Sequence, residues 1–255
     1  MGSMKTIGPP HARAAQLRGL HQGDLLVLPN AWDAASARVV EGAGFAAVAT
    51  SSAAVAAMLG YPDGEGAPWE EMFAANARIA RAVSVPVTMD AEGGYGMVAS
   101  DLVRRLLDIG VVGCNLEDTD HVGGGLKDAR EQAGFMADVR SAAGAAGVPL
   151  VVNARVDVFL PGSRIPEDER VAEAVRRGRL YRSAGADCVY PIGVGDPDVL
   201  AQLVAGIDGP VNGNSTPRLT LPVLRSLGVA RVSYGPSFYR TGLAEFGTAI
   251  RALQV

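Results

Sequence analysis

Lysine is almost missing from this chain: of 23 basic residues, only Lys5 and Lys127 are lysine, the rest being arginine. The basic residues stand singly or in pairs, and the formal net charge is −4. No cationic stripe is therefore available to track a phosphate backbone, and nucleic acid is not an expected partner. Histidine is scarce as well. His11, His21 and His121 lie far apart, with no HxH or HExxH spacing, which disfavours a zinc centre. The two cysteines, Cys114 and Cys188, sit inside apolar runs and read as buried thiols, so no disulfide framework is expected. No apolar run approaches the roughly 20 residues that cross a bilayer, and the N-terminus has no basic-then-apolar signal pattern. The expectation is a soluble, cytoplasmic protein with no membrane partner. A GxxxxGK[ST] phosphate loop and a GxSxG nucleophile elbow are both missing, which removes the commonest phosphate and serine-triad readings.

What is present is length and rhythm. A chain of 255 residues with 48% hydrophobic content can bury one large core, so residues 1–255 are read as one domain, with 1–3 an expression scar. Eight short apolar runs read as strands: 25–30, 46–51, 85–90, 111–117, 149–155, 187–192, 210–214 and 230–235. Helical segments alternate with them, among them DAASARVVEGAG, PWEEMFAANARIARAV and PEDERVAEAVRRGRLYRSAG, the last with Pro166 in its opening turn. EGAGFAAV, DIGVVGCN, SAGADCVY and SLGVARVS each run from a helix through a glycine straight into a strand. A helix that must stop and reverse within a few residues needs such a glycine. Eight βα units without a long break predict an α/β fold of (β/α)₈ barrel type, with an open doubly wound sheet as the alternative.

In such a barrel the reactive side chains come from the C-terminal ends of the strands. VTMDAEGGYG (87–96) ends a strand in Asp90 and Glu92, which point the same way if the extended conformation continues through Ala91. Glu117 closes the next strand, and Asp63 lies in the loop after the second. Four carboxylates converging on one spot suit a hard divalent cation, Mg²⁺ with Mn²⁺ as a substitute, held by one or two of them directly and by water otherwise. Helix capping is the ordinary role of an acid at a βα junction and is assigned to Asp33 and Asp118. On the positive side, Arg155 shares strand parity with Asn153 and Asp157. It is read as a bidentate grip on a substrate carboxylate or phosphonate, against a purely structural pairing with Glu117 or Asp157. Ser51 and Ser52 offer N–H groups and hydroxyls to the other end of a small acid. DTDHVGGGLKDAREQ supplies His121 and Lys127 as acid or base candidates on a loop whose three glycines suit closure over substrate.

The succession LPNAWDAASARVVEGAGF, ATSSAAVAAMLGYPDG, VTMDAEGGYG, GVVGCNLED and VVNARVDVF resembles the isocitrate lyase and phosphoenolpyruvate mutase superfamily, in order from about residue 27 to 160. The resemblance implies a (β/α)₈ barrel whose last helix is exchanged between subunits of a homodimer or homotetramer. It implies Mg²⁺, a small 2-oxo or 2-hydroxy acid, and a bond made or broken beside a pyruvate-type enolate. Asp90 matches the direct metal ligand; Asp63, Glu92 and Glu117 match acids that hold the metal's waters. Ser51 and Ser52 fall where the family has a serine and a glycine on the substrate carboxylate, Ser52 replacing the glycine, and Arg155 matches the arginine on the substrate. The cysteine of the KKCGH-type loop of isocitrate and methylisocitrate lyases is missing from TDHVGGGLKD, which argues against those two activities proper. The implied chemistry is Mg-dependent C–C cleavage of an oxaloacetate-like or methylisocitrate-like acid without that cysteine. Phosphonopyruvate P–C chemistry, or an acid-binding barrel without turnover, are the alternatives.

Overall fold

The computed structural model describes residues 8–254. The expression-scar reading and Lys5 lie outside the described residues. The chain runs α1 (Pro10–Leu20), β1 (Leu26–Leu28), β2 (Asn30–Ala31), α2 (Ala34–Gly42), β3 (Val48–Thr50), α3 (Ser52–Leu59), α4 (Trp69–Ala82), β4 (Val87–Asp90), α5 (Ala99–Asp108), β5 (Gly113–Glu117) and α6 (Ala129–Ala145). It continues with β6 (Val151–Val156), two 3₁₀ turns (Pro161–Ser163, Glu167–Glu169), α7 (Arg170–Ser183), β7 (Cys188–Pro191), α8 (Pro197–Gly206), β8 (Asn212–Asn214), α9 (Leu221–Ser226), β9 (Arg231–Ser233) and α10 (Ser237–Arg251).

All eight expected strands form. The first is split into β1 and β2 at Pro29, which has no N–H to give to a ladder. β2 to β7 pair in order, and β8, β9 and β1 pair in order, every pairing parallel. A parallel bridge between Val189 and Val211, with Val189 N–H donating to the Pro210 carbonyl at 3.0 Å, joins β7 to the second group. The strands thus follow one another around a ring, the barrel arrangement expected. The four glycine returns hold: Gly44, Gly110, Gly185 and Gly228 have φ of 88°, 84°, 102° and 77°. Those left-handed angles are what a helix end reversing into a strand requires, and they cost a residue with a Cβ.

Capping follows the sequence in part. Asp33 accepts from Ser36 N and closes a capping box at α2, as assigned. Pro166 opens the 3₁₀ turn that precedes α7 rather than α7 itself. Cys114 and Cys188 are free and buried, and burial pushes both thiols up to about 12, so they act as small hydrophobes. Among the described residues no helix is long and apolar enough to cross a membrane.

The end of the barrel opposite the acids is closed by α1. Its Ala14 and Leu17 pack with Leu26, Leu28, Ala47, Ala49, Val112 and Val151, all buried. His21, just after α1, is buried. Its Nδ1 lies 2.9 Å from the Leu17 carbonyl, and its Nε2 has no partner among the described residues. Burial, helped by the charge of Arg231, holds this imidazole down at about 4, so it folds neutral. The folded value lies below the unfolded one. Protons therefore favour the unfolded chain, and stability should rise between about pH 4 and 6.5 by up to roughly 3 kcal/mol from this group, then level off. Urea unfolding of the protein and of His21→Gln at about pH 4.5 and 7.5 checks this: the loss on acidification should be smaller in the variant. An equal loss in both proteins would remove His21 as its source.

Candidate active site

Asp90 ends β4 with its carboxylate held on both oxygens. Oδ2 accepts from Ser52 N at 3.1 Å and Ser52 Oγ at 2.9 Å, and Oδ1 lies 3.4 Å from Asn115 Nδ2. Its own N–H donates to Thr50 Oγ1 at 3.1 Å. Ser51 caps α3 through its hydroxyl, which accepts from Ala54 N. The two serines offered for a substrate carboxylate are thus occupied, Ser52 in aiming Asp90 and Ser51 in starting a helix.

The expectation that the extended backbone continues to Glu92 fails. β4 stops at Asp90, and Glu92 has φ of +49°, in the left-handed region. Glu92 is nevertheless buried. One oxygen accepts from the Glu65 N–H and the other from the Tyr95 hydroxyl at 2.8 Å. Glu65 in turn accepts from Tyr95 N at 2.7 Å, tying the loop between α3 and α4 to GGYG. Glu65 and Tyr95 also have positive φ, 58° and 55°. Both of Glu92's hydrogen-bonding partners are neutral groups. Burial pushes its carboxyl up to about 7, with the charges of Asp90 and Asp63 adding to the effect. Asp63 itself is exposed in that loop, outside the buried acids.

Glu117, at the end of β5, meets Arg155, which faces it across the β5–β6 ladder. Its Oε2 contacts Arg155 Nη1 as a charge pair not aligned as a hydrogen bond, and its Oε1 is 2.6 Å from His121 Nε2. Burial pushes Glu117 up to about 6 despite Arg155 and His121, while the bond to Glu117 raises His121. Arg155 also makes a two-pronged contact with Asp157, Nε to Oδ1 and Nη2 to Oδ2, each at 2.7 Å. Both structural pairings weighed against substrate grip are therefore present. Side-chain exposures are 12% for Arg155, 2% for Glu117 and 0% for Asp157. The guanidinium thus lies buried between two buried carboxylates.

The glycine loop is pinned rather than open. Thr119 pairs with Leu126 in an antiparallel bridge, Asp120 N donates to Gly125 O at 3.0 Å, and Lys127 N donates to Asp118 O at 2.8 Å. Lys127 Nζ reaches the Gly93 carbonyl at 3.1 Å, so both candidate bases of this loop are at the site, His121 on Glu117 and Lys127 over GGYG.

Two groups escaped the sequence reading. Asp118 is no helix cap: it is buried and accepts from Arg177, Tyr181 and the Asp157 N–H. Arg231 fills the barrel beneath Asp90, its Nη2 on Asn115 Oδ1 at 3.2 Å beside Asn153 and Asn212, with Nε and Nη1 unpartnered among the described residues. The inward parity of Arg231 and Ser233 on β9, opposite Asn212 and Asn214, was the available signal.

Can these residues take a divalent cation? All the acids offer hard oxygen, and Asp90 and Glu92 are buried with only neutral hydrogen-bond donors. Buried carboxylates held by neutral donors favour a cation, and the donor set fits Mg²⁺ or Mn²⁺. Among the described residues no three His, Cys, Asp or Glu side chains stand close enough to enclose an ion by themselves.

A family model described as phosphoenolpyruvate phosphomutase matches residues 17–254. The protein of Corynebacterium glutamicum named probable 2-methylisocitrate lyase 2 is 30% identical over 254 residues, covering 96% of this chain and 81% of its own. A crystal structure from Burkholderia cenocepacia J2315, provisionally assigned as a phosphonomutase, is 38% identical with TM-score 0.87, over 95% of this chain and 99% of that one. The crystal structure of 2,3-dimethylmalate lyase, a PEP mutase/isocitrate lyase superfamily member, is 25% identical with TM-score 0.84, over 95% of this chain and 87% of that one.

Removing Arg155 takes the guanidinium from two buried carboxylates, leaving Glu117 with His121 alone and Asp157 with no cation, so Arg155→Met should cost about 3–5 kcal/mol in urea unfolding. An unchanged unfolding midpoint would mean that water, not Arg155, compensates Glu117 and Asp157.

Proposed function

The chain belongs to the phosphoenolpyruvate phosphomutase family, within the PEP mutase/isocitrate lyase superfamily, and from that premise we propose that it is a Mg²⁺-dependent lyase cleaving a C–C bond in a small 2-oxo or 2-hydroxy carboxylic acid. The observation that carries this reading is the pairing of a cation-deficient acid cluster (Asp90, Glu92) with a fixed guanidinium (Arg155) across one barrel mouth. Similarity to 2-methylisocitrate and 2,3-dimethylmalate lyases supports the substrate class.

In this reading Asp90 would hold the ion directly, and Glu92, Glu117 and the exposed Asp63 would hold its water. When bound, the ion supplies positive charge to an enolate oxygen of pyruvate type. Arg155 grips the substrate carboxylate with the guanidinium hydrogens that Asp157 and Glu117 leave free, and adds to the stabilisation of the developing charge. Asp157 keeps that fork from rotating, and Ser52 keeps Asp90 aimed. His121, hydrogen-bonded to Glu117, would carry a proton to or from the departing fragment, with Lys127, which reaches the Gly93 carbonyl, as the second candidate. No cysteine is needed for this route; both cysteines are buried in strands.

A second reading, P–C bond chemistry on phosphonopyruvate, is favoured by the 38% identity to the provisionally assigned phosphonomutase and by the family's own description. Purified protein with Mg²⁺ should turn over at least one member of a panel of oxo and hydroxy acids. Turnover of phosphonopyruvate alone would reverse the order. Asp90→Ala should abolish both turnover and Mg²⁺ binding by calorimetry; unchanged Mg²⁺ affinity would remove the proposed site.

The assembly proposed is a homodimer or homotetramer in which α10 is exchanged. α10 buries none of its residues on its own barrel, and Leu243, Phe246, Ile250 and Leu253 form an exposed stripe at helical spacing. A groove of about 450 Å³ between α2 and the start of α10, lined by Trp32, Val39, Val40, Ala43, Phe45 and Phe238, offers the complementary apolar face. Light scattering should find a multimer that Leu243→Glu with Phe246→Glu converts to monomer. A monomeric unmodified protein would exclude the exchange.

A further inference from the structure

We infer that Arg177, on the outer helix α7, is a positioning residue for Arg155: with Asp118 it fixes Asp157 and the feet of the loop 119–127, and so sets how the Arg155 guanidinium meets a substrate. The inference rests on the reading of Arg155 as the substrate's cationic anchor.

The geometry is a chain of direct contacts. Glu173, Arg177 and Tyr181 recur every fourth residue on one face of α7. Glu173 Oε1 holds Arg177 Nε at 2.7 Å, which leaves Nη1 aimed inward. That nitrogen donates to Asp118 Oδ2 and to the Lys127 carbonyl, each at 3.0 Å, and lies 3.1 Å from the Tyr181 hydroxyl. Tyr181 also donates to Asp118 Oδ2, at 2.7 Å. The other Asp118 oxygen accepts the Asp157 N–H at 2.9 Å, and the Asp118 carbonyl accepts the Lys127 N–H at 2.8 Å. Asp157 then clamps Arg155, and Thr119 donates its hydroxyl to Asp157 at 2.5 Å. One buried cluster thus ties together the end of β5, both feet of the glycine loop and the residue that orients Arg155.

Stability alone does not account for such a cluster. A buried ion pair is often no more stabilising than well-packed apolar side chains of the same volume, because both charges must leave water. Direction is what charge and hydrogen bonds add. Asp118 follows Glu117 in sequence, but its side chain bonds to Arg177, Tyr181 and the Asp157 N–H, whereas Asp90 is held by Ser52 and Asn115, so the effect should fall on the substrate's end of the site more than on Asp90. The coupling runs from a helix in the outer layer to a guanidinium at the barrel mouth through four side chains.

The test uses oxalate, whose planar paired oxygens mimic the enolate of a 2-oxo acid, titrated calorimetrically into the full-length protein with saturating Mn²⁺. Arg177→Lys and Asp118→Asn should each weaken oxalate by about tenfold, equivalent to 1.4 kcal/mol, while Mn²⁺ affinity measured without oxalate stays within about twofold. Tyr181→Phe, which removes one bond to Asp118, should weaken oxalate by roughly threefold and carries the test should Asp118→Asn not fold. Unchanged oxalate affinity in the folded variants, whatever their melting temperatures, overturns the inference and leaves the cluster a structural one. Arg155→Lys separates the two levels. If the unmodified protein does not bind oxalate, or Arg155→Lys binds it as tightly as the unmodified protein does, the anchor reading falls and this inference with it. If Arg155→Lys weakens oxalate and the Arg177 and Asp118 variants do not, only the inference fails.

Discussion

Asp90, Glu92, Glu117 and Asp157 are all buried at one end of the barrel, and the guanidinium of Arg155 reaches only Glu117 and Asp157. Taking a carboxylate out of water is costly unless it is paired, so the unpaired half of this set has to be compensated by something else. Ser52, Asn115, Tyr95 and the Glu65 N–H provide dipoles to Asp90 and Glu92 but no positive charge, and the buried Arg231 beneath them donates to Asn115 rather than to either carboxylate. That imbalance shapes the rest of the structure. Burial raises both Glu92 and Glu117, in Glu117 against the pull of Arg155, and serine and asparagine side chains turn inward at the strand ends beside Asp90.

Local backbone strain follows from the same requirement. Of the four residues other than glycine with positive φ among those described, three, Glu65, Glu92 and Tyr95, form one contact set beside Asp90. Each such conformation costs on the order of 1 kcal/mol or more, which the surrounding packing has to overcome. The barrel makes this tolerable: parallel strands held on both sides present rigid ends, and the strain of these three residues sits in the α3–α4 loop and the loop after β4. The far end is closed by α1 with apolar side chains and the neutral His21, so the division between a strained polar mouth and a relaxed apolar base runs along the barrel axis.

Much of this was legible in the residues. The strand count, the glycine returns, the capping role of Asp33 and the clustering of acids at strand ends all rest on local periodicity and turn chemistry, which act over a few residues. What escaped depends on contacts between distant segments. Glu92 was placed by a period-two rule that stops applying where the strand ends, and its burial comes from Glu65, far away in sequence. Asp118 looked like a cap because caps are the common role for Asp after a strand, whereas its partners Arg177 and Tyr181 lie on α7, the helix of the next βα unit. Arg231 could have been noticed as a charge at an inward position of β9; its partner Asn115 comes from β5 and is linked through Asn153 of β6 to Asn212 of β8, a set that forms no pattern in any single segment.

The account depends on a divalent cation satisfying the acids around Asp90, and electron paramagnetic resonance of Mn²⁺ tests that most directly. Titrated into metal-stripped protein, Mn²⁺ should lose its free-ion signal until a single site per chain is filled, and excess Mg²⁺ should restore that signal by displacement. A free-ion signal that grows in proportion to added Mn²⁺ from the first addition would show that the buried carboxylates hold no metal, and the proposed chemistry would be contradicted.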